Sequence, residues 1–237
     1  MPLEHAEEAR ARWLERFPQG FEERTHGREL ELAAYTEADP PPGALVERVD
    51  SAWEERWRDF HRPVLVGPFW IGPPWEQPPL GVMPVVIDPG GAFGTGAHAT
   101  TQLCIELVAE QGQVSLLDAG CGSGAIAVAA ALLGFSPVVA VDVDPAAVDA
   151  TERNAAANGV AVDVRQLDLA TAALPSAELV VVNISLEDVE VLLPRLAAPV
   201  VIASGYLEHD EPRLGRYRQR ERRLRDGWAA DVLVRAQ

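Results

Sequence analysis

DAGCGSGA, from Asp118 to Ala125, sets a carboxylate just ahead of glycines at 120, 122 and 124. The apolar run VSLL precedes it and AIAVAAALLG follows, so the glycines fall on a strand-to-helix turn. There the backbone can approach a ligand held at the helix N-terminus. Gly120-x-Gly122-x-x-Ala125 satisfies the dinucleotide fingerprint, and Asp142 ends the next apolar run about twenty residues on. Taken alone, that pattern serves a nicotinamide dinucleotide and S-adenosylmethionine almost equally.

Asp118 separates the two ligands. A pyrophosphate beside this turn would be repelled by a carboxylate a few ångströms away. The ammonium and sulfonium charges of S-adenosylmethionine suit it, and the reading is therefore S-adenosylmethionine. Helix capping by Asp118 ranks lower, because the turn already has its glycines. Asp142, in VVAVDVDP, can accept from both hydroxyls of a ribose, with Val143 against the adenine face. Asp144, directly before Pro145, is a helix N-cap. Asp168, ending RQLD, is placed either to accept from the adenine amino group or as a plain loop aspartate; Leu169 beside it offers a backbone N–H.

Asn183 ends the run LVVVN, at the crevice where open α/β sheets bind ligands. Ser185 and Asp188 supply the cap of the next helix, which frees the asparagine. Its amide oxygen can accept from a substrate amine and point the nitrogen lone pair at a methyl group. Such a displacement depends on position and desolvation. A second glycine-rich stretch, DPGGAFGTGAHATT (88–101), reads as a lid over the same crevice, with Phe93 as apolar cover and Thr101 offering a hydroxyl at the helix start. His98 is read as solvated, and Thr100 and Thr101 as helix caps.

The elements that position these residues alternate. Helix 100–111, strand 114–120, helix 125–134, strand 137–144 and helix 145–159 are followed by strands at 160–168 and 177–184, helix 186–197 and strand 199–205. Short apolar strands between helices give a parallel sheet covered on both faces. The tail YRQRERRLRDGWAADVLVRA breaks the rhythm and reads as an antiparallel hairpin turning at Asp226-Gly227. The fold class is α/β: a Rossmann-like, doubly wound seven-stranded sheet with an antiparallel C-terminal hairpin. A small N-terminal α+β appendage precedes it, with a helix at 4–17 and a hairpin across His26-Gly27. A second helix is expected at about 44–60, and then proline-rich extended chain.

Composition narrows the partners. A net charge of −16 opposes direct nucleic-acid binding and suits a basic protein. All twenty basic residues are arginine, which excludes Schiff-base chemistry and a phosphate-loop lysine on this chain. Two cysteines, Cys104 and Cys121, make neither a disulfide framework nor a metal set. With no apolar run of membrane-spanning length and no hydrophobic leader in MPLEHAEEARAR, the expected location is the cytoplasm.

GGAFGTGAHATT, LLDAGCGSGAIAVAAALLG, VVAVDVDPAAV and LVVVNI, in this order and spacing, resemble the ribosomal protein L11 methyltransferase family (PrmA-like). The resemblance covers about residues 50–237, including WEERWRDFHRPV. It implies S-adenosylmethionine-dependent N-methylation of lysine side chains and an N-terminal amine on a large-subunit ribosomal protein. By match, Thr101, Gly120, Asp142 and Asn183 are the cofactor contacts it implies, with Phe93 in the lid and Asn183 also beside the amine. The family has an N-terminal ferredoxin-like recognition domain of two strand–helix–strand units, whereas residues 1–43 accommodate only a helix and a hairpin. The expected division is thus 1–43 as a reduced recognition appendage, 44–87 as a linker helix and extended segment, and 88–237 as the methyltransferase domain. Methylation of a lysine on another protein is the alternative, with a nicotinamide-dependent oxidoreductase behind it.

Overall fold

A computed structural model of the chain describes residues 22–26, 29–33, 62–88 and 96–236, and the chain divides into two units, Met1–Asp50 and Ser51–Gln237. In the first unit, β1 (Glu22–His26) and β2 (Glu29–Ala33) pair antiparallel with His26 opposite Glu29. This is the hairpin expected across His26-Gly27. The helices expected at 4–17 and 44–60 lie outside the described residues.

In the second unit, the proline-rich stretch pairs into a three-stranded sheet. Strand β3 (Val64–Val66) runs antiparallel to β4 (Phe69–Gly72), which runs parallel to β5 (Met83–Val86). Val66, Phe69, Ile71, Val85 and Ile87 pack into one cluster with Leu103 and Cys104 of helix α1 (Ala99–Ala109). From there the chain alternates: β6 (Leu116–Ala119), α2 (Ala125–Leu132), β7 (Val138–Asp142), α3 (Pro145–Ala157), β8 (Asp163–Gln166), β9 (Leu179–Asn183), α4 (Leu186–Leu192) and β10 (Val200–Leu207). Strands β11 (Tyr217–Arg225) and β12 (Trp228–Arg235) close the chain.

The main sheet has seven strands in the order β11-β12-β10-β9-β6-β7-β8. Its parallel part is built by crossovers, and β12 lies antiparallel between β10 and β11. Strand β6 is buried at every position, as a parallel strand covered on both faces must be. Helix α2 is apolar throughout, and its alanines let it lie close against the sheet on the face shared with α1 and α3. The opposite face packs Val189 and Leu192 of α4 with Tyr206 and Tyr217. Truncating a fully buried residue such as Leu107 or Leu116 to alanine costs about 2–5 kcal/mol. The expected hairpin turn is present, with Asp226 at φ 51° and Gly227 at φ 79°, both left-handed as a tight hairpin requires. The outermost strands carry charge, Asp163 and Arg165 on β8 and five arginines on β11, which blunts them against edge pairing.

Most elements are shorter than the sequence pattern by one to three residues, and two differ more. The helix expected over 186–197 stops at Leu192 and continues as a 3-10 turn over Leu193–Arg195, because Pro194 brings no N–H to the helical ladder. The third strand is only Asp163–Gln166. No helix among the described residues is long and apolar enough to cross a membrane.

Candidate functional site

The carboxyl ends of β6, β7 and β9 meet at a cavity of about 520 Å³, with the starts of α1 and β12 on its far side. Gly120, Gly122, Asp142, Val143, Asp168 and Asn183 line it, so six of the predicted site residues converge. Asp118 and Thr101 do not reach the surface of the cavity: they are 0% and 2% exposed and stand behind its wall. Phe93 lies outside the described residues.

The turn after β6 is shaped by what it must pass. Gly120 has φ 82°, and a Cβ there would collide with Cγ2 of Ile184. Only glycine satisfies both conditions. Behind the turn, Asp118 Oδ2 accepts the N–H of Ala127 at 3.1 Å, in the first turn of α2. The N-cap of α2 is Gly124, which has no side chain to offer. Asp118 therefore does cap this helix, contrary to the low rank given to that role from sequence. One oxygen is spent this way, and Oδ1 has no hydrogen-bond partner among the described residues. Burial is the main reason its carboxyl is pushed up to about 7; the Ala127 N–H pulls the other way and the charge of Asp142 adds to the rise.

Asp142 ties two turns together. Its Oδ2 accepts the N–H of Gly122 at 3.0 Å and its Oδ1 that of Asp144 at 3.0 Å. Each carboxylate oxygen keeps a further lone pair for the cavity. Val143, 63% exposed, presents an apolar surface beside it. Asp144 caps α3 as expected, accepting from Ala146 N at 2.9 Å. Asp168 closes its own turn: Oδ1 accepts from Ala170 N at 2.8 Å and Oδ2 from Thr171 Oγ1 at 2.7 Å. The Thr171 hydroxyl, with the Ala170 N–H, holds its carboxyl below the usual range. The exposed carboxylate thus closes the loop, and Asp168 lines the cavity together with Leu169 and Ala170.

Asn183 donates its side-chain amide to Thr101 Oγ1 at 3.4 Å, leaving Oδ1 as its remaining acceptor. Ser185 caps α4 as expected: its Oγ accepts from Asp188 N at 3.2 Å and donates to Asp188 Oδ2 at 2.6 Å. The N-cap of α1 is a correction. It is His98, not Thr100 or Thr101: Nδ1 lies 2.8 Å from Thr100 Oγ1 and accepts from Thr100 N at 3.4 Å. Nor is His98 merely solvated, since its ring meets Trp228 edge-on, with centroids 4.8 Å apart, and both residues line the cavity.

Sequence reasoning missed Trp228, Ile184 and Gly205 in this wall. Trp228 follows the Asp-Gly turn that was read correctly, but only the sheet order brings that end of the hairpin to the crevice. Two asparagines, Asn154 on α3 and Asn158 at its C-cap, were also missed. Asn154 Oδ1 accepts from Asp88 N at 2.9 Å, while its Nδ2 donates to Ser123 O at 2.9 Å under the glycine turn. Asn158 bonds both the N–H and the C=O of Val86, at 2.8 and 2.7 Å.

A family model described as "Ribosomal protein L11 methyltransferase (PrmA)" matches residues 21–220. Among curated proteins, the ribosomal protein L11 methyltransferase of Symbiobacterium thermophilum is 44% identical over 170 residues, covering 68% of this chain and 54% of that protein. That of Heliobacterium modesticaldum is 36% identical over 207 residues, covering 80% of this chain and 65% of that protein. The chain thus spans between about half and two thirds of the length of these relatives. A crystal structure of ribosomal protein L11 methylase from Lactobacillus delbrueckii subsp. bulgaricus is 27% identical, with a TM-score of 0.67 over 75% of this chain and all of the other.

Proposed function

The chain belongs to the ribosomal protein L11 methyltransferase (PrmA) family, and from that premise we propose that it binds S-adenosylmethionine in the 520 Å³ cavity and methylates an amine of a ribosomal protein. The observation that carries this reading is Asp118: a carboxylate fully buried behind a glycine turn, with one oxygen lacking any partner among the described residues. Such a group is costly to leave uncompensated, and a cationic ligand end compensates it. A dinucleotide pyrophosphate would worsen it. The donor set fits the rest of the cofactor as well: Asp142 toward the ribose hydroxyls, Val143 toward the adenine face, Gly120 and Gly122 at the closest backbone approach.

When bound, the cofactor supplies an electrophilic methyl group on a sulfonium sulfur. The residues do the rest by position. Asn183, held by Thr101, accepts through Oδ1 from the acceptor amine and aims its lone pair at the methyl carbon. Transfer of that methyl group to the amine nitrogen would break the carbon–sulfur bond, and the nitrogen's extra proton would leave to solvent. An amine that arrives neutral needs no strong base, and the apolar wall of Val143, Val191 and Leu192 favours that neutral form. The acceptor amine is that of a lysine side chain or a chain N-terminus, and a net charge of −16 suits a basic partner.

Two measurements test this. Calorimetry with S-adenosylmethionine and with nicotinamide dinucleotides is expected to show binding of the first alone. Labelled S-adenosylmethionine is then expected to transfer its methyl group to purified ribosomal protein L11. Dinucleotide binding without S-adenosylmethionine binding would overturn the cofactor; binding without transfer to that protein, but with transfer to another, would overturn the substrate.

A further inference from the structure

Ile184 is pressed between two glycines that are far apart in sequence. Its side chain lies where a Cβ on Gly120 would be. Its peptide lies against Gly205, where an added Cβ would collide with the Ile184 carbonyl oxygen and come within 2.7 Å of its carbon and 2.9 Å of its nitrogen. Gly205 is the extra residue of a β-bulge: β10 pairs Ser204 with Ala230 and Tyr206 with Ala229 of β12, and nothing opposes Gly205. Its φ is 103°. On the other side, β10 pairs Ser204 with Asn183, so the bulge begins beside the last paired residue of β9. Gly120, Asn183, Ile184 and Gly205 all line the cavity.

The bulge is braced from behind. The hydroxyl of Tyr206 reaches back across it to Ala203 O at 3.0 Å and to Asp231 Oδ2 at 2.8 Å. Asp231 is 1% exposed, stands opposite Ala203 in register, and lies 3.6 Å from Arg222 Nε. A buried carboxylate, a phenol and a guanidinium behind the bulge are more than a hairpin needs for pairing. Bulges are a recurrent means of aiming a neighbouring side chain.

We propose that the Gly205 bulge, braced by Tyr206 and Asp231, is the positioning device for the acceptor side of the cavity: by admitting the Ile184 peptide where any side chain would collide, it fixes the amide of Asn183 relative to the cofactor turn. This rests on the methyltransferase reading above. Asn183 is then held at two points, its side chain by Thr101 and its following peptide by Gly205. A methyl group at 205 pushes the Ile184 carbonyl away and takes Asn183 with it. The ribose side, held through Asp142 and Gly122, stays in place.

The test compares the wild-type chain with Gly205→Ala and Tyr206→Phe. It reads S-adenosylmethionine affinity by calorimetry, single-turnover methyl transfer to ribosomal protein L11, and the side-chain amide resonance of Asn183. Gly205→Ala is expected to slow transfer about a hundredfold, the cost of a displacement near one ångström. Cofactor affinity is expected to change by less than about threefold, the Asn183 resonance to move, and that of the Gly122 amide to stay. Adding Ile184→Ala does not restore the rate, because the collision is with backbone. Tyr206→Phe inserts nothing and keeps the ring, so it keeps the test open should Gly205→Ala not fold; it is expected to slow transfer about fivefold at unchanged affinity, the effect of one lost hydrogen bond. Equal losses of affinity and rate, or an unmoved Asn183 resonance, would overturn the proposal. If the wild-type chain binds no S-adenosylmethionine, the functional reading fails, and the Asn183 resonance alone then decides the positioning.

Discussion

The backbone N–H of Gly122 donates to Asp142 Oδ2 at 3.0 Å, so the residue proposed to face the ribose also holds the turn proposed to face the cofactor. A carboxylate in both roles couples them. Asp142→Ala is expected to weaken S-adenosylmethionine binding by about 2–3 kcal/mol through two lost charge-assisted hydrogen bonds. Asp142→Asn keeps one acceptor oxygen and is expected to fall between. Calorimetry on the three proteins checks this, and wild-type affinity in Asp142→Ala would move the ribose elsewhere.

Asp118 makes stability depend on pH in the direction opposite to most aspartates. Its carboxyl is raised from the ordinary 3.8 to about 7, chiefly by burial. Between those values the folded state binds the extra proton, so stability is greatest at low pH and falls as pH rises through about 4 to 7. The ceiling on that loss is roughly 4 kcal/mol. A bound ammonium or sulfonium restores the charged form, so cofactor binding is expected to release a proton near neutrality and to tighten with pH. Asp118→Asn is expected to flatten both dependences. Urea unfolding across this range and calorimetry in buffers of differing ionisation enthalpy measure them; identical slopes in both proteins would clear Asp118 of the role.

Asn154 joins the chain entering the site to the chain beneath the cofactor turn, through Asp88 and Ser123. It is 2% exposed, so removing its amide deletes buried hydrogen bonds to the Ser123 carbonyl and the Asp88 N–H at once. Asn154→Ala is expected to cost about 2–3 kcal/mol of stability. A denaturant midpoint close to that of the wild type would show that water or a neighbour replaces the amide.

What could be read from sequence was what local pattern encodes. Apolar runs at helix and strand periods gave the elements in their order along the chain, and Asp226-Gly227 gave the last turn. Strand ends then placed Asp142 and Asn183 at one crevice, because parallel strands point their carboxyl ends the same way. Contacts between distant segments left no such mark. Asn158 meets Val86 across 72 positions and Asn154 meets Asp88 across 66, and in sequence both are ordinary polar residues of a helix. Gly205 reads as the plain end of a strand until the bulge is seen. His98 precedes two threonines, which are the better caps by propensity, yet it takes the cap itself because its ring also has Trp228 to pack against.

Asn183 separates binding from chemistry. Its Nδ2 is bonded to Thr101, so Oδ1 is the group with work left at the cavity. An acceptor that orients an amine contributes in the transition state far more than in the cofactor complex. Asn183→Ala is therefore expected to lower single-turnover methyl transfer around a hundredfold, or about 2.7 kcal/mol of barrier, while shifting cofactor affinity much less. Raising the pH is not expected to rescue it, because the defect is orientation and not amine protonation. Thr101→Val, which removes the hydroxyl that accepts from Nδ2, is expected to produce a smaller loss of the same kind. The experiment measures transfer to ribosomal protein L11 and S-adenosylmethionine affinity for all three proteins. A rate loss fully accounted for by weaker cofactor binding would make Asn183 a cofactor contact alone, and the amine would then have to be oriented by another group in the wall.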